Sequence, residues 1–212
     1  SEEKLNIDKY KNVLSEVESI LEENHFKKNV NIDTKAIKEK YINSIDSQKM
    51  VFDAEDFDNF SKIEDLNKFS QIKFAFEVFE VFKEKSIKFL DLQRQSITEI
   101  NLESQLDTND FIFKDREDEK RFKNLEELSE YHLKEAKSEL ISIYLKEKDL
   151  KKSKEKLLKR FVNREKSLNR ISEDDIFSMY VNSFTSFYDP HTNYMTPKNQ
   201  EDFEINMYLS LE

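Results

Sequence analysis

Glycine is absent from this sequence of 212 residues, although average usage would supply roughly 15 glycines in a chain of this length. Phosphate-binding loops, dinucleotide fingerprints and calcium loops need glycine where the backbone turns tightly or approaches a ligand closely. The nucleophile elbow of α/β-hydrolases needs glycine for the same reason. The absence of glycine therefore excludes these kinds of site from the sequence.

Cysteine is also absent, and there are only two prolines. Without cysteine there is no disulfide, no thiolate zinc site and no cysteine nucleophile. A β-sandwich or barrel needs a turn about every 8–12 residues, and such turns rely on glycine and proline, so the composition favours helices. Lysine, asparagine, isoleucine and phenylalanine are abundant, as in AT-rich coding. We interpret the missing glycine as codon bias acting on a fold that rarely needs a positive φ angle.

Aromatic residues and acidic charge are both plentiful. Eighteen phenylalanines and eight tyrosines can fill a sizeable core, since each aromatic side chain buries about 150–250 Å².

The net charge of −10 disfavours a nucleic-acid-binding protein, which normally presents a basic face. No apolar run reaches the roughly 18 residues of a membrane span. No signal peptide opens the sequence, which predicts either a cytoplasmic protein or a processed one.

Apolar residues recur at helical spacing along most of the chain. The stripes predict helices that contain Tyr10, Ile37, Phe57, Ile72, Phe122, Leu157 and Ile176. Asp53 is expected to cap the third helix, and Ser172 with Asp175 to form a relative of the capping box at the start of the last full helix. The segment 70–106 is expected to form one long helix, and 106–121 a loop with an aromatic anchor at Phe111–Phe113.

The last residues, from Asn206 to Glu212, alternate polar and apolar side chains, which predicts a short β-strand. We therefore predict an all-α fold with a short C-terminal β-strand. The helical domain is expected over residues 1–205, with a linker or strand beginning at 206–212. The length suits one domain, or one large and one small.

No catalytic or metal site is predicted. The three histidines are His25, His132 and His191, and their spacing does not match a metal site. We interpret His132, on an apolar stripe, as a packed histidine, and we expect no cofactor. Ser183, Asp189 and His191 lie close together, but a catalytic triad is assembled from separated segments beside an oxyanion hole. Acid pairs such as Asp174–Asp175 are interpreted as solvated faces or favourable charges at helix N-termini.

Positive charge is concentrated between Lys146 and Arg170, where eleven lysines and arginines stand against four acidic residues. One interpretation is a docking patch for an acidic partner, a phosphate or an anionic lipid surface. The other is a solvated face that neutralises an acidic neighbour within the same molecule. The candidate docking patch consists of Lys151, Lys152, Lys154, Lys159 and Arg160.

A dense run of polar and aromatic side chains follows the last full helix, where Asp189-Pro190 stops the helix and Thr196-Pro197 is expected to start another. From the residues alone, this segment is a structural hinge. It also resembles the segment that leads into the PDZ domain of the tail-specific proteases, which are also called carboxy-terminal processing peptidases. The signature turn of this resemblance consists of Asp189, Pro190, His191, Thr192, Tyr194 and Pro197.

Two further stretches, Lys40–Phe52 and Ser172–Phe177, are similar to the same family, and the resemblance covers the chain in order and length. It implies an all-helical N-terminal domain, a PDZ domain that captures substrate C-termini, and a protease domain with a serine/lysine pair, in the periplasm of Gram-negative bacteria. The PDZ and catalytic motifs have no counterpart in this sequence, so no catalytic residue is carried over. Family members often carry a tryptophan before the middle helix, and Phe122 is expected to replace it.

Two hypotheses about function follow. In the first, the chain is the helical platform of a periplasmic tail-specific serine protease. It is not catalytic itself; it positions the PDZ and protease domains of the same protein and docks a protein substrate or adaptor. The alternative is a free-standing helical adaptor or scaffold that binds an acidic partner through helix 146–170. Glycine-rich PDZ sequence directly after Glu212 would favour the first hypothesis, and a stop codon the second.

Overall fold

The computed structural model describes residues 7–25, 34–63, 67–107 and 115–188, and all regular structure within these ranges is helical. The helices are α1 (Ile7–His25), α2 (Thr34–Ile45), α3 (Ala54–Ser61), α4 (Lys68–Glu99), α5 (Leu125–Glu147), α6 (Leu150–Arg170) and α7 (Glu173–Tyr188), with a 3₁₀ turn at Glu103–Gln105. The predicted all-α fold is confirmed for this part of the chain. The predicted strand at 206–212 and the signature turn lie outside the described residues.

The chain divides into two compact units, each assembled from segments that are distant in sequence. Among the described residues, the first unit comprises 7–25, 34–47, 56–63, 67–81 and 171–188. The second unit comprises 48–55, 82–107 and 115–170. Helix α4 contributes its beginning to the first unit and its remainder to the second, while α5 and α6 belong wholly to the second.

An aromatic core holds the first unit together, where α7 packs against α1 and α2. Tyr41 of α2 and Tyr180 of α7 are fully buried, with ring centroids 5.4 Å apart in an edge-to-face arrangement. The Tyr41 hydroxyl donates to the carbonyl oxygen of Ala75 at 2.6 Å. The Tyr180 hydroxyl donates to Oε1 of Gln71 at 2.5 Å. Buried tyrosines need such partners, so these two bonds satisfy the polar ends of an otherwise apolar core.

In the second unit, α5 packs against α6. The fully buried side chains of the two helices include Leu128, Leu140, Ile141, Leu157 and Phe161. Leu157 and Phe161 are four residues apart and share one face of α6, whereas the buried side chains of α5 are distributed over more of its circumference. Burying one such side chain contributes about 1.5–3 kcal/mol, so these apolar contacts are the main source of stability for the pair.

Helices α3 and α7 start directly after the residues that were predicted to cap them. The N–H of Ser172 donates to Oδ2 of Asp175 at 2.9 Å, and the N–H of Asp175 donates to Oγ of Ser172 at 3.1 Å. The predicted capping box of α7 is therefore confirmed. Asn124 caps α5 in a similar way, since its Oδ1 accepts the N–H of Glu127 at 3.0 Å. Helix α3 begins directly after Asp53, as predicted.

Lysine occupies backbone positions where glycine is usually found. Lys49 and Lys148 have φ angles of 55° and 53°, in the left-handed region. Lys148 is the C-cap of α5, the kind of position that glycine commonly takes. A residue with a Cβ atom is less stable in this conformation by roughly 1–2 kcal/mol. The described part of the fold thus has these two positions with positive φ, and the chain fills both with lysine.

Lysine side chains also bind free carbonyl groups at helix ends. Lys38 of α2 is 3% exposed, and its Nζ donates to the carbonyl oxygens of Ser61 and Ile63 at the end of α3. The last carbonyls of a helix have no partner within the helix. The buried ammonium of Lys38 supplies one, and it also offsets the negative end of the helix dipole.

Two boundaries differ from the sequence prediction. Helix α4 runs from Lys68 to Glu99 and does not reach residue 106. The 3₁₀ turn follows it, and the side chain of Gln105 holds this turn by accepting the N–H of Leu102 at 2.8 Å. Helix α5 begins at Leu125, three residues after Phe122, which was predicted to lie in this helix, and Leu125 itself is 55% exposed. No helix among the described residues is both long and apolar enough to cross a membrane.

Candidate docking surface

Helix α6 carries the predicted docking patch, and its side chains divide into two faces. Asp149 starts the helix, since its Oδ1 accepts the N–H of Lys152 at 2.9 Å. The buried face consists of Ser153, Leu157, Phe161, Arg164, Ser167 and Leu168. Because these residues recur at three- and four-residue spacing, Lys152, Lys159 and Lys166 are left on the opposite face, toward solvent.

Two of the five patch residues are engaged within the molecule. Nζ of Lys154 donates to the carbonyl oxygens of Thr98 at 3.1 Å and Ile100 at 2.5 Å, at the end of α4. Nη1 of Arg160 lies 3.1 Å from Oε1 of Glu139 on α5. The Arg160–Glu139 pair agrees with the interpretation that the basic helix neutralises an acidic neighbour within the same molecule, whereas Lys154 binds backbone carbonyls.

The other three patch residues, Lys151, Lys152 and Lys159, are exposed. Lys166 is exposed as well, although the predicted patch did not include it. Its position seven residues after Lys159, on the same side of the helix, is the signal that could have identified it. The exposed charge of α6 is therefore distributed differently from the predicted patch.

A charged cluster between α6 and α5 was missed by the sequence analysis. Arg164 lies on the buried face of α6 and is 8% exposed. Its Nη1 and Nη2 atoms donate to the two carboxylate oxygens of Glu139 at 3.1 and 2.8 Å. Such a two-pronged arginine–carboxylate pair is directional, so it fixes the register of α6 on α5. The sequence did contain a signal for this burial. Arg164 follows Phe161 by three residues and precedes Leu168 by four, so it shares the buried face of α6 with both.

Glu135 lies one turn before Glu139 on the same helix. Burial of its carboxyl raises the pKa of Glu135 to about 7. The positive charge of Arg164 opposes this rise, the negative charge of Glu139 adds to it, and Arg116 opposes it more weakly. Glu135 is thus a carboxyl group that changes charge near neutral pH, inside a cluster of two arginines and a second glutamate.

The loop that precedes α5 is anchored by an arginine–aromatic stack. The guanidinium of Arg116 lies 4.0 Å from the ring centroid of Phe122 and 5.1 Å from that of Tyr131. The carbonyl oxygen of Phe122 accepts the N–H of Ala54 at 2.8 Å. Cation–π contacts are favourable when the arginine is desolvated, and Arg116 is 7% exposed. Phe122 therefore packs in the segment just before α5, whereas the expected aromatic anchor of the loop, Phe111 to Phe113, lies outside the described residues. That Phe122 replaces a tryptophan stays a prediction.

His132 is a packed histidine, as predicted. Its ring stacks on Phe89 with centroids 4.1 Å apart and an interplanar angle of 14°. Its Nε2 donates to the carbonyl oxygen of Met50 at 2.6 Å, and its own carbonyl oxygen accepts from the side chain of Gln93 at 2.9 Å. These bonds tie the segment before α3 to α4 and α5 within the second unit.

The structure does not assemble a hydrolytic or metal site from the described residues. Oγ of Ser183 donates to the carbonyl oxygen of Met179 at 2.9 Å, within α7. Asp189 and His191 lie outside the described residues. Asp174 accepts from the hydroxyl of Tyr10 at 2.8 Å, and this bond lowers its pKa. In the described ranges, no group of three or more histidine or acidic side chains is placed to hold a metal ion.

Comparison with known proteins places this arrangement in a family. The family described as "Tail specific protease N-terminal domain" matches residues 17–198, which is most of the chain. The chain belongs to this family. A curated relative, the tail-specific protease of Haemophilus influenzae, is 25% identical over 200 residues. That alignment covers 91% of this chain and 28% of the relative, so the chain spans less than a third of the protein that it matches.

The match to the tail-specific protease N-terminal domain confirms the family that the sequence analysis identified. It extends from α1 through α7 and includes all six residues of the signature turn, Asp189 to Pro197. It also covers the whole of α6 and the charged cluster, so the exposed basic face is part of the family domain itself.

Proposed function

We propose that this chain is the helical N-terminal platform of a periplasmic serine protease that removes or degrades proteins from their C-termini. One observation carries the proposal: the match to the tail-specific protease N-terminal domain over residues 17–198. The relative from Haemophilus influenzae supports it, since that protein is named a tail-specific protease and is much longer than this chain. In this proposal, the PDZ domain and the serine/lysine pair lie in other parts of the same protein.

The platform role rests on the rigidity of the helical units. Helix α4 has 32 residues, which corresponds to a rod of about 48 Å. The buried aromatic residues of the first unit and the arginine–carboxylate pair of the second hold their helices in fixed registers. Sites on rigid elements are held more accurately than sites on loops. Such a scaffold suits a domain that positions a peptide-binding domain and a protease domain and docks a substrate or adaptor.

A cleavage assay tests this proposal. We expect the purified 212-residue chain to leave a protein substrate with an apolar C-terminus intact, and the complete gene product to cleave it. We further expect removal of residues 1–205 from the complete protein to lower kcat/KM, because the remaining domains lose their platform. Inhibitor-sensitive cleavage by the 212-residue chain alone would contradict the proposal.

The matched control is the complete protein with its proposed catalytic serine replaced by alanine, which should be folded and inactive. Full activity after removal of residues 1–205 would also contradict the platform role. The codons after Glu212 separate the two hypotheses directly. Glycine-rich PDZ sequence supports the protease platform, whereas a stop codon supports a free-standing adaptor.

A further inference from the structure

The outward face of α6 carries a line of positive charge. Lys152, Lys159 and Lys166 are exposed and follow one another at intervals of seven residues, so they lie close to one line along the helix. Arg170, also exposed, lies on the same side as Lys166. The eighteen residues of helix from Lys152 to Arg170 correspond to about 27 Å. We call this line, formed by Lys152, Lys159, Lys166 and Arg170, the outer strip.

The internal contacts of α6 do not neutralise the outer strip. Lys156, beside the strip, pairs with Glu147, and Glu165 pairs with Arg94 of α4. The carboxylate of Asp149 accepts a backbone N–H at the start of the helix. Within the part of the chain that the structure describes, no ion pair involves the four residues of the outer strip. Their charges are therefore available to a partner.

The chemistry around the outer strip favours a protein partner. A helix that lies on a membrane inserts an apolar face into the lipid, but the apolar face of α6 is buried. Phe161 and Leu157 are 0% exposed, and Val162, 42% exposed, is the large apolar side chain that α6 presents outward. A nucleic acid is normally bound through many phosphate contacts on a broad basic surface, whereas this chain has a net charge of −10 and the outer strip is a single line of four cationic side chains. An acidic protein segment can bind the exposed cationic side chains of the outer strip without inserting an apolar side chain. It also does not require a net positive charge on the whole chain.

We propose that the outer strip binds an acidic segment of a partner protein, a stretch with several carboxylates spread over about 27 Å. The inference deepens the docking role proposed above, and it rests on that role for the presence of a substrate or adaptor. The lysine ammonium groups stand on flexible stems and act as point charges. The strip therefore recognises the spacing of carboxylates along the partner and requires no particular side-chain sequence.

Binding of a labelled acidic peptide to the 212-residue chain tests the proposal. The probe is a peptide of alternating glutamate and serine, followed by fluorescence anisotropy at several salt concentrations. We expect binding that weakens as salt is added, because exposed charges are screened over about 8–10 Å near physiological ionic strength. The triple variant K152E/K159E/K166E should bind at least about tenfold more weakly, since three attractive contacts become repulsive.

The control is the variant K11E/K40E/K73E, which changes net charge equally but places the new glutamates on exposed positions of α1, α2 and α4. It should bind within about twofold of the original chain. An equal loss in both variants, or no binding by the original chain, would overturn the proposal. Tighter binding to vesicles with anionic lipid than to the peptide, abolished in the first variant, would overturn it in favour of a membrane. The assay involves no proteolysis, so its failure is distinct from failure of the protease proposal.

Discussion

The guanidinium of Arg164 and the carboxylate of Glu139 form a two-pronged pair between α6 and α5, with N–O distances of 3.1 and 2.8 Å. The Arg164 side chain is 9% exposed and that of Glu139 is 16% exposed, so both charges have lost most of their water. A desolvated charge is tolerated when its partner is present and becomes unfavourable when the partner is removed. This pair therefore makes the stability of the helix pair depend on both residues together.

Replacing Arg164 with alanine should destabilise the chain by about 3 kcal/mol, because Glu139 keeps a largely buried charge with Arg160 as its remaining partner. Urea denaturation followed by circular dichroism measures the change. The double variant R164L/E139L should recover more than half of the loss, since an apolar pair of similar volume removes both charges. A double variant as unstable as the single one would show that packing, and not the unpaired charge, is responsible.

Glu135 should make stability depend on pH. Its pKa of about 7 in the folded state exceeds its ordinary value of 4.5, so the folded protein holds this proton more tightly than the unfolded chain. The free energy of unfolding should therefore fall as pH rises from about 4.5 to 7, and should change little from this group outside that window. The charges that face this carboxyl are Arg164 of α6, Arg116 of the preceding loop and Glu139 of α5.

The variant E135Q should remove this dependence. At pH 8 it should be more stable than the original chain by roughly 1–2 kcal/mol, and at pH 4.5 about equally stable. Thermal or urea unfolding across the pH range measures both. The exposed residue Glu130, also on α5, provides the control, since E130Q should leave the pH profile unchanged. If the free energy of unfolding changed with pH in the same way for E135Q and for the original chain, the assignment of this pH dependence to Glu135 would be contradicted.

The features of this fold that depend on neighbouring residues were predictable from the sequence. Helical stripes identified each described α-helix, and the Ser172–Asp175 capping box formed as expected because its two bonds are local. Helix ends were less accurate: the end of α4 depends on the Gln105 side chain, which closes the following turn. Arg164 was missed because its burial depends on Glu139, which is 25 residues away. Local patterns do not contain that pairing.

The docking patch was predicted only in part, because local sequence patterns do not show how α6 packs on its neighbours. Counting charges located the basic helix, but it could not separate lysines that point outward from those that point inward. Lys154 points toward the end of α4, and Arg160 toward Glu139. Both orientations follow from the packing of α6 on its neighbours. Lys166, which was not assigned, is exposed on the outward face.

Lys154 should contribute to stability, whereas its exposed neighbour should not. Replacing Lys154 with methionine keeps the length of the side chain but removes the donor to the carbonyls of Thr98 and Ile100, so we expect a loss of about 1 kcal/mol. The same substitution at Lys152, which is exposed on the outer strip, should change stability by less than about 0.5 kcal/mol. Denaturation midpoints of the two variants give the comparison, and equal effects would show that the carbonyl contacts contribute nothing.

Lys148, the C-cap of α5, allows a test of whether a residue other than glycine is strained in the left-handed conformation at a helix end. Its φ of 53° lies where a Cβ atom is unfavourable, and its N–H donates to the carbonyl oxygen of Tyr144 at 2.7 Å. Glycine keeps that bond without the steric strain, so Lys148→Gly should stabilise the chain by about 1 kcal/mol. The same substitution at Lys146, in the last turn of α5, should destabilise it by about 0.5–1 kcal/mol, because glycine is unfavourable inside a helix.

Lys146 and Lys148 are both exposed lysines and lie two positions apart, so the two variants are matched in charge and burial. Opposite signs in urea denaturation are the expected result, and a loss of stability in both variants would show that the left-handed conformation of Lys148 is not strained.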